Sequence, residues 1–142
     1  MMRVLIDANI LLDLILAREP FANEARAIWI ACEQGRCVGF VAAISVTTIW
    51  YVGRRQVGFA IARQRVAELL SILRVAPVDA LVLQQALASA LTDFEDAVQL
   101  ASALRLGLDA IVTRNSKDFV GATLPILTPA EFLARLAPPK TA

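Results

Sequence analysis

Short runs of apolar residues alternate along this chain with longer stretches whose apolar positions recur every three or four residues. Residues 2 to 6, MRVLI, are the first short run, the kind a strand buried on both faces shows. CVGFVAA (37 to 43), LRVAP (73 to 77), DAIVT (109 to 113) and LPILT (124 to 128) are the others. The stretches between them predict helices. ANILLDLILA follows Asp7 and ends near Arg18-Glu19-Pro20, where proline stops it. Residues 21 to 34 put Ala25, Ile28, Trp29 and Ala31 at helical spacing, with Gly35 as the stop. Ser45 is predicted to cap a helix through about Val52, Gly58 to break before one at 59 to 72, and Asp79 to cap one through about Ala90. TDFEDAVQLASAL (92 to 104) opens a helix that ends at Gly107. Thr128-Pro129-Ala130-Glu131 combines an N-cap Thr, a proline at N1 and a capping-box Glu, and so starts a final short helix.

Short apolar strands separated by helices imply an α/β fold with a parallel sheet of about five strands covered on both faces. No internal repeat, low-complexity tract or linker divides the chain, and 142 residues suit one domain with a real core. Residues 1–137 are assigned to it, and 138–142 to a flexible, frayed tail.

Composition narrows the chemistry more than the fold. The 58% of hydrophobic residues exceeds the usual ~45–50%, leaving a surplus for a subunit or partner interface. A net charge of +1 gives no global pull toward nucleic acid or membrane. The chain has no histidine, which excludes a Ser-His-Asp triad, a Cys-His pair, an HExxH zinc helix and any imidazole acid–base couple. Cys32 and Cys37 suit ordinary thiols in a reducing compartment. Residues 37 to 53 carry no charge but are barely of spanning length and contain Ser45, Thr47 and Thr48, which favours a strand running into a helix. Asp7 interrupts the N-terminal apolar run, so no signal peptide is expected. The expectation is a soluble, cytoplasmic protein with no membrane association.

Hydrolytic chemistry must then rest on carboxylates, a metal, Lys, Ser or Thr. In open parallel sheets, sites form at the carboxyl ends of strands, and that rule ranks the acids. Asp7 sits where the first strand ends, as a helix cap or a site residue. Asp118 lies just beyond the fourth strand in TRNSKDF, where Asn115 and Ser116 also mark a turn. The fourth strand is expected beside the first, which brings Asp118 near Asp7. Thr92 and Glu95 match a capping box, and Asp93 lies where the helix dipole favours an anion. Asp96 heads the stripe Leu100, Ala103 and Leu104, predicted to face the interior, where a carboxylate is costly without a cation. Asp13, Asp79 and Asp109 read as a helix-surface residue, an N-cap and a strand-edge residue; Glu19, Glu24, Glu33 and Glu68 read as solvated helix faces. Asp7, Asp96 and Asp118 converging at one sheet end suit Mg²⁺ or Mn²⁺, which prefer oxygen ligands. Such an ion can hold a scissile phosphate, acidify a bound water and stabilise an in-line transition state.

RVLIDANILLDL (3 to 14), AAISVTTIWYV (42 to 52), FEDAVQLASAL (94 to 104), IVTRNSKDF (111 to 119) and LPILTPAEFL (124 to 133) together resemble a PIN-domain protein of the VapC-toxin kind. The resemblance implies a three-layer α/β/α sandwich and metal-dependent ribonuclease activity on RNA. It implies an acidic site at Asp7, Asp96 and Asp118, with Thr113 and Asn115 supporting it through hydrogen bonds. It also implies a homodimer and, in toxin–antitoxin operons, an inhibiting antitoxin. One position departs from the family pattern. Aligning Ser45 with the Thr of T-x-x-E puts Thr48 where a Glu is usual, and a PIN-like subgroup with this loss carries an adjacent Glu-Asp pair, as Glu95-Asp96 here. Glu95 then becomes a site candidate that restores the lost charge, and Thr48 a possible contact to a metal-bound water. The alternative is a weak or inactive PIN domain that binds RNA or protein. Arg114 and Lys117 flank the last acid and are the candidates for phosphate contacts.

Overall fold

In a computed structural model, which describes residues 1–136, β1 (Arg3–Ile6) lies at the centre of a five-stranded sheet. The others are β2 (Val38–Ala42), β3 (Arg74–Ala76), β4 (Ala110–Val112) and β5 (Ile126–Leu127). Their order is β3-β2-β1-β4-β5 and every pairing is parallel. The chain therefore leaves β1 toward one edge through β2 and β3 and returns to its other side as β4. That reversal opens a crevice at the carboxyl ends of β1 and β4. The expected neighbourhood of the first and fourth strands is present, in the register Ile6 opposite Val112.

The helices are α1 (Ala8–Ile15), α2 (Ala22–Glu33), α3 (Ala43–Val57), α4 (Phe59–Ile72), α5 (Ala80–Leu87), α6 (Phe94–Arg105) and α7 (Pro129–Arg135). The two-residue period of a strand divides the core between them. Val4, Ile6, Val41 and Val112 pack with Leu11, Ile28, Ile49, Leu69 and Phe132 of α1, α2, α3, α4 and α7. Leu5, Phe40 and Ile111 pack on the opposite face with Leu100 and Ala103 of α6 and with Phe119. α5 closes over the outside of α6 through Val82 and Ala86. The result is the expected three-layer α/β/α sandwich. Gly39 in β2 is required by close packing: a Cβ there would lie 2.7 Å from Leu73 and 2.8 Å from Cys32 Sγ. Cys32 and Cys37 are free thiols with their sulfurs 3.6 Å apart.

Several element boundaries move from their predicted places. α3 begins at Ala43, directly from β2, and runs to Val57; Ser45 is not its cap but a wholly buried residue of its first turn. α5 stops at Leu87 rather than Ala90. Asp79 caps it as expected, accepting from Val82 N at 3.0 Å, and the Thr128–Glu131 capping box forms in full. The uncharged 37–53 stretch is β2 and most of α3, and no helix among the described residues is long and apolar enough to cross a membrane. The tail assigned to 138–142 lies outside the described residues.

Candidate functional site

At the carboxyl end of β1, Asp7 does two jobs that sequence alone leaves as alternatives. It is the N-cap of α1, its Oδ1 facing Asn9 N at 3.5 Å, and it is also the buried centre of the crevice, only 3% exposed. Thr113, where β4 ends, donates from Oγ1 to Asp7 Oδ2 at 2.7 Å. Asn115 N in turn donates to Thr113 Oγ1 at 3.1 Å, so the turn after β4 is tied to the same carboxylate. On the other oxygen, Gln99 Nε2 donates to Oδ1 at 3.3 Å. All these donors are neutral.

α6 and its cap bring Asp93, Glu95 and Asp96 from the second helical layer. Its N-cap is Asp93, whose Oδ1 accepts from Asp96 N at 3.0 Å, and not Thr92 as the capping-box pattern predicts. Asp93 takes the cap itself, which shifts the box out of register and leaves Glu95 without a backbone partner from it. Glu95 instead turns to α3, where Ser45 Oγ donates to Oε1 at 3.3 Å and Thr48 Oγ1 to Oε2 at 3.5 Å. Thr48 thus faces Glu95 across the two helices. Asp96 is half-buried beside Gln99. Of the stripe behind it, Leu100 and Ala103 are buried but Leu104 is 45% exposed. Asp118 sits on the short 3₁₀ turn Ser116–Phe119, exposed at the rim. Asp7, Asn9, Thr48, Asp93, Glu95, Asp96, Gln99 and Asp118 line one cleft of about 170 Å³.

The electrostatics follow from crowding like charges where water is scarce. Burial above all, then Asp93, Asp7, Asp118 and Glu95, push the Asp96 carboxyl up to about 7. Glu95 is raised as well, first by burial and then by Asp7 and Asp93, against the hydroxyls of Ser45 and Thr48, which favour its charged form. Two helix N-termini, those of α1 and α6, point their positive ends into the same cleft. Among the described residues, no arginine or lysine lines it. The lining carboxylates offer oxygens only, the ligand type that Mg²⁺ and Mn²⁺ prefer. Among the described residues no three acids close into a ready-made cage. Mg²⁺ does not need one, since it binds through one or two carboxylates and keeps several waters.

Residues around the cleft depart from their sequence-based roles. Asp13, expected on a helix surface, is 1% exposed. Arg114 Nε and Nη2 donate to its two oxygens at 2.9 and 3.4 Å, and Arg18 Nε lies 3.0 Å away. The Arg114 guanidinium also stacks 4.1 Å from the Phe21 ring centre. Arg114 is therefore engaged inside the protein, while Lys117 stands exposed beside Asp118. Gln99 and Ser45 are site residues that the sequence did not reveal. An apolar helix tolerates a single Gln or Ser on any face, so only a buried polar partner marks them out.

Residues 3–117 match a family model described as PIN domain. No curated protein sequence matches the chain. Among solved structures, the chain is similar to the toxin VapC20 of Mycobacterium tuberculosis, described as cleaving the sarcin–ricin loop. Identity there is 19% over 76% of this chain and 86% of that one, with a TM-score of 0.64. A toxin–antitoxin complex from Klebsiella pneumoniae gives 24% identity over 89% and 97%, with a TM-score of 0.68. VapBC-1 of nontypeable Haemophilus influenzae gives 15% over 91% and 99%, with a TM-score of 0.67.

Proposed function

The chain belongs to the PIN-domain family, and from that premise we propose that it is a metal-dependent endoribonuclease, the toxin of a cytoplasmic toxin–antitoxin pair. The observation that carries the proposal is the cleft at the ends of β1 and β4, where Asp7, Glu95, Asp96 and Asp118 gather around one space with no basic residue among the described ones. Asp7 and Asp96 are the principal ligands of Mg²⁺ or Mn²⁺, and Asp118 and Glu95 complete the negative field. The ion supplies charge for the scissile phosphate and an acidified water. Thr113 and Gln99 hold Asp7 in place by hydrogen bonds. Glu95 stands in for the acid missing at Thr48, held toward the cleft by Ser45 and Thr48. Lys117, exposed next to Asp118, is a phosphate contact on the RNA.

Toxin–antitoxin complexes among the similar structures support an antitoxin as protein partner, and a homodimer belongs to the same reading. A second reading draws on Thr48: a PIN domain short of one acid that binds RNA or protein without cutting. An RNA cleavage assay with Mg²⁺ or Mn²⁺ on wild type, Asp7→Asn and Asp96→Asn separates the two. Cleavage by wild type alone is the expected result. Equal cleavage by all three would remove these acids from the chemistry, and tight RNA or protein binding without cleavage would favour the second reading.

A further inference from the structure

Gln99 lies one turn along α6 from Asp96 and is 1% exposed. An amide so deeply buried is costly unless its polar atoms are satisfied. Its oxygen and nitrogen are distinguishable here, because one of its partners is a fixed donor. Ala8 N, in the first turn of α1, has no acceptor within its own helix, so the amide atom facing it at 3.4 Å is Oε1. Nε2 is then directed at Asp7 Oδ1, 3.3 Å away, and Asp96 Oδ1, 3.5 Å away. A primary amide has two N–H groups, one for each carboxylate.

We propose that Gln99 is a positioning residue of the metal site: anchored on the α1 backbone, its amide donates to both Asp7 and Asp96 and holds them oriented toward one shared cation. The inference rests on the reading of these acids as metal ligands. Two features carry it. The side chain links the N-terminus of α1 to α6, so the spacing of two ligands from distant segments depends on one group. The amide is also neutral. A cation at this place would neutralise the acids as Arg18 and Arg114 neutralise Asp13, whereas an amide offsets part of the carboxylates' mutual repulsion and leaves their charge for the ion.

Titration calorimetry of the full-length protein with Mn²⁺ tests this on wild type, Asp96→Asn and Gln99→Met. The methionine keeps the length and bulk of the side chain but has no N–H. The expected result is binding by wild type, none by Asp96→Asn, and binding roughly 10–100-fold weaker by Gln99→Met. Affinity in Gln99→Met equal to that of wild type would overturn the proposal and leave the metal site standing. An absence of binding by wild type would overturn the metal reading and this one with it. Gln99→Glu decides the matter if the methionine variant does not fold. It preserves the acceptor for Ala8 N but sets a third carboxylate between Asp7 and Asp96, so Mn²⁺ should raise its unfolding temperature by more than it raises that of wild type. The same rise in both would refute the placement.

Discussion

Asp7 and Asp13 lie six positions apart, one capping α1 and the other within it, and both are almost fully buried. Their surroundings are opposite. Asp13 meets two guanidinium groups, Arg114 at 2.9 Å and Arg18 at 3.0 Å, and its charge is neutralised within the protein. Among the described residues Asp7 meets only neutral donors, from Asn9 N, Thr113 and Gln99, and shares its cleft with Glu95, Asp96 and Asp118. A buried acid with internal cations is a clamp. One with neutral hydrogen bonds and acidic neighbours has its charge left for a cation from solution. The clamp also serves the cleft, since Arg114 lies between Thr113 and Asn115 and ties the turn after β4 to α1.

The sharpest way to break this contrast is to neutralise each acid in turn. Asp7→Asn should lower RNA cleavage by roughly 10³-fold or more, because an ion-binding carboxylate supplies several kcal/mol of transition-state stabilisation. Its unfolding free energy in urea should change by only about 1 kcal/mol, a lost hydrogen bond's worth. Asp13→Ala should do the reverse, costing about 3–5 kcal/mol of stability by leaving Arg114 and Arg18 without their partner. A small loss of stability there would show that the clamp is not one. Glu95→Gln sits between the two. It should weaken Mn²⁺ binding about tenfold in calorimetry and leave unfolding within about 0.5 kcal/mol, since Asp93 and not Glu95 caps α6.

The smallest effect is on the pH dependence of the metal-free protein. Asp96 titrates in the folded state at about 7, and Glu95 is also raised above its ordinary value. The folded protein therefore keeps protons that the unfolded chain releases at lower pH. This contribution to stability is present below the ordinary carboxylate range and is lost as pH rises through about 7. Melting curves from about pH 4 to about pH 8 should show Asp96→Asn gaining on wild type as pH rises. Mn²⁺ binding by wild type should strengthen over the same range, as the ligands deprotonate. A constant gap between the two proteins across that range would mean that Asp96 is not crowded by its neighbours.

Much of the fold was legible because burial writes itself into period. Strands apolar on both faces appear as unbroken runs, and helices carry their stops in Gly35, Gly58 and Gly107. The acids at strand ends were legible for a related reason: a charge that ends a buried strand stands where the sheet opens. Local chemistry was less reliable. The capping box at Thr92 and Glu95 matched its pattern, yet Asp93 took the cap, because neighbouring residues compete for one helix start and the pattern does not rank them.

By itself, then, the sequence determined the α/β alternation, the neighbourhood of β1 and β4, and the absence of imidazole chemistry. It also singled out Asp7, Asp96 and Asp118 as acids to watch. Only the tertiary structure decided which acids meet a cation inside the protein and which meet neutral donors and other acids. Asp13 reads in sequence as a surface acid yet is as buried as Asp7, and what separates the two lies in Arg114, Gln99 and Thr113, roughly ninety to a hundred positions away. The free energy of a buried charge is set by what faces it within a few ångströms, and that is a property of chain crossings rather than of neighbours along the chain.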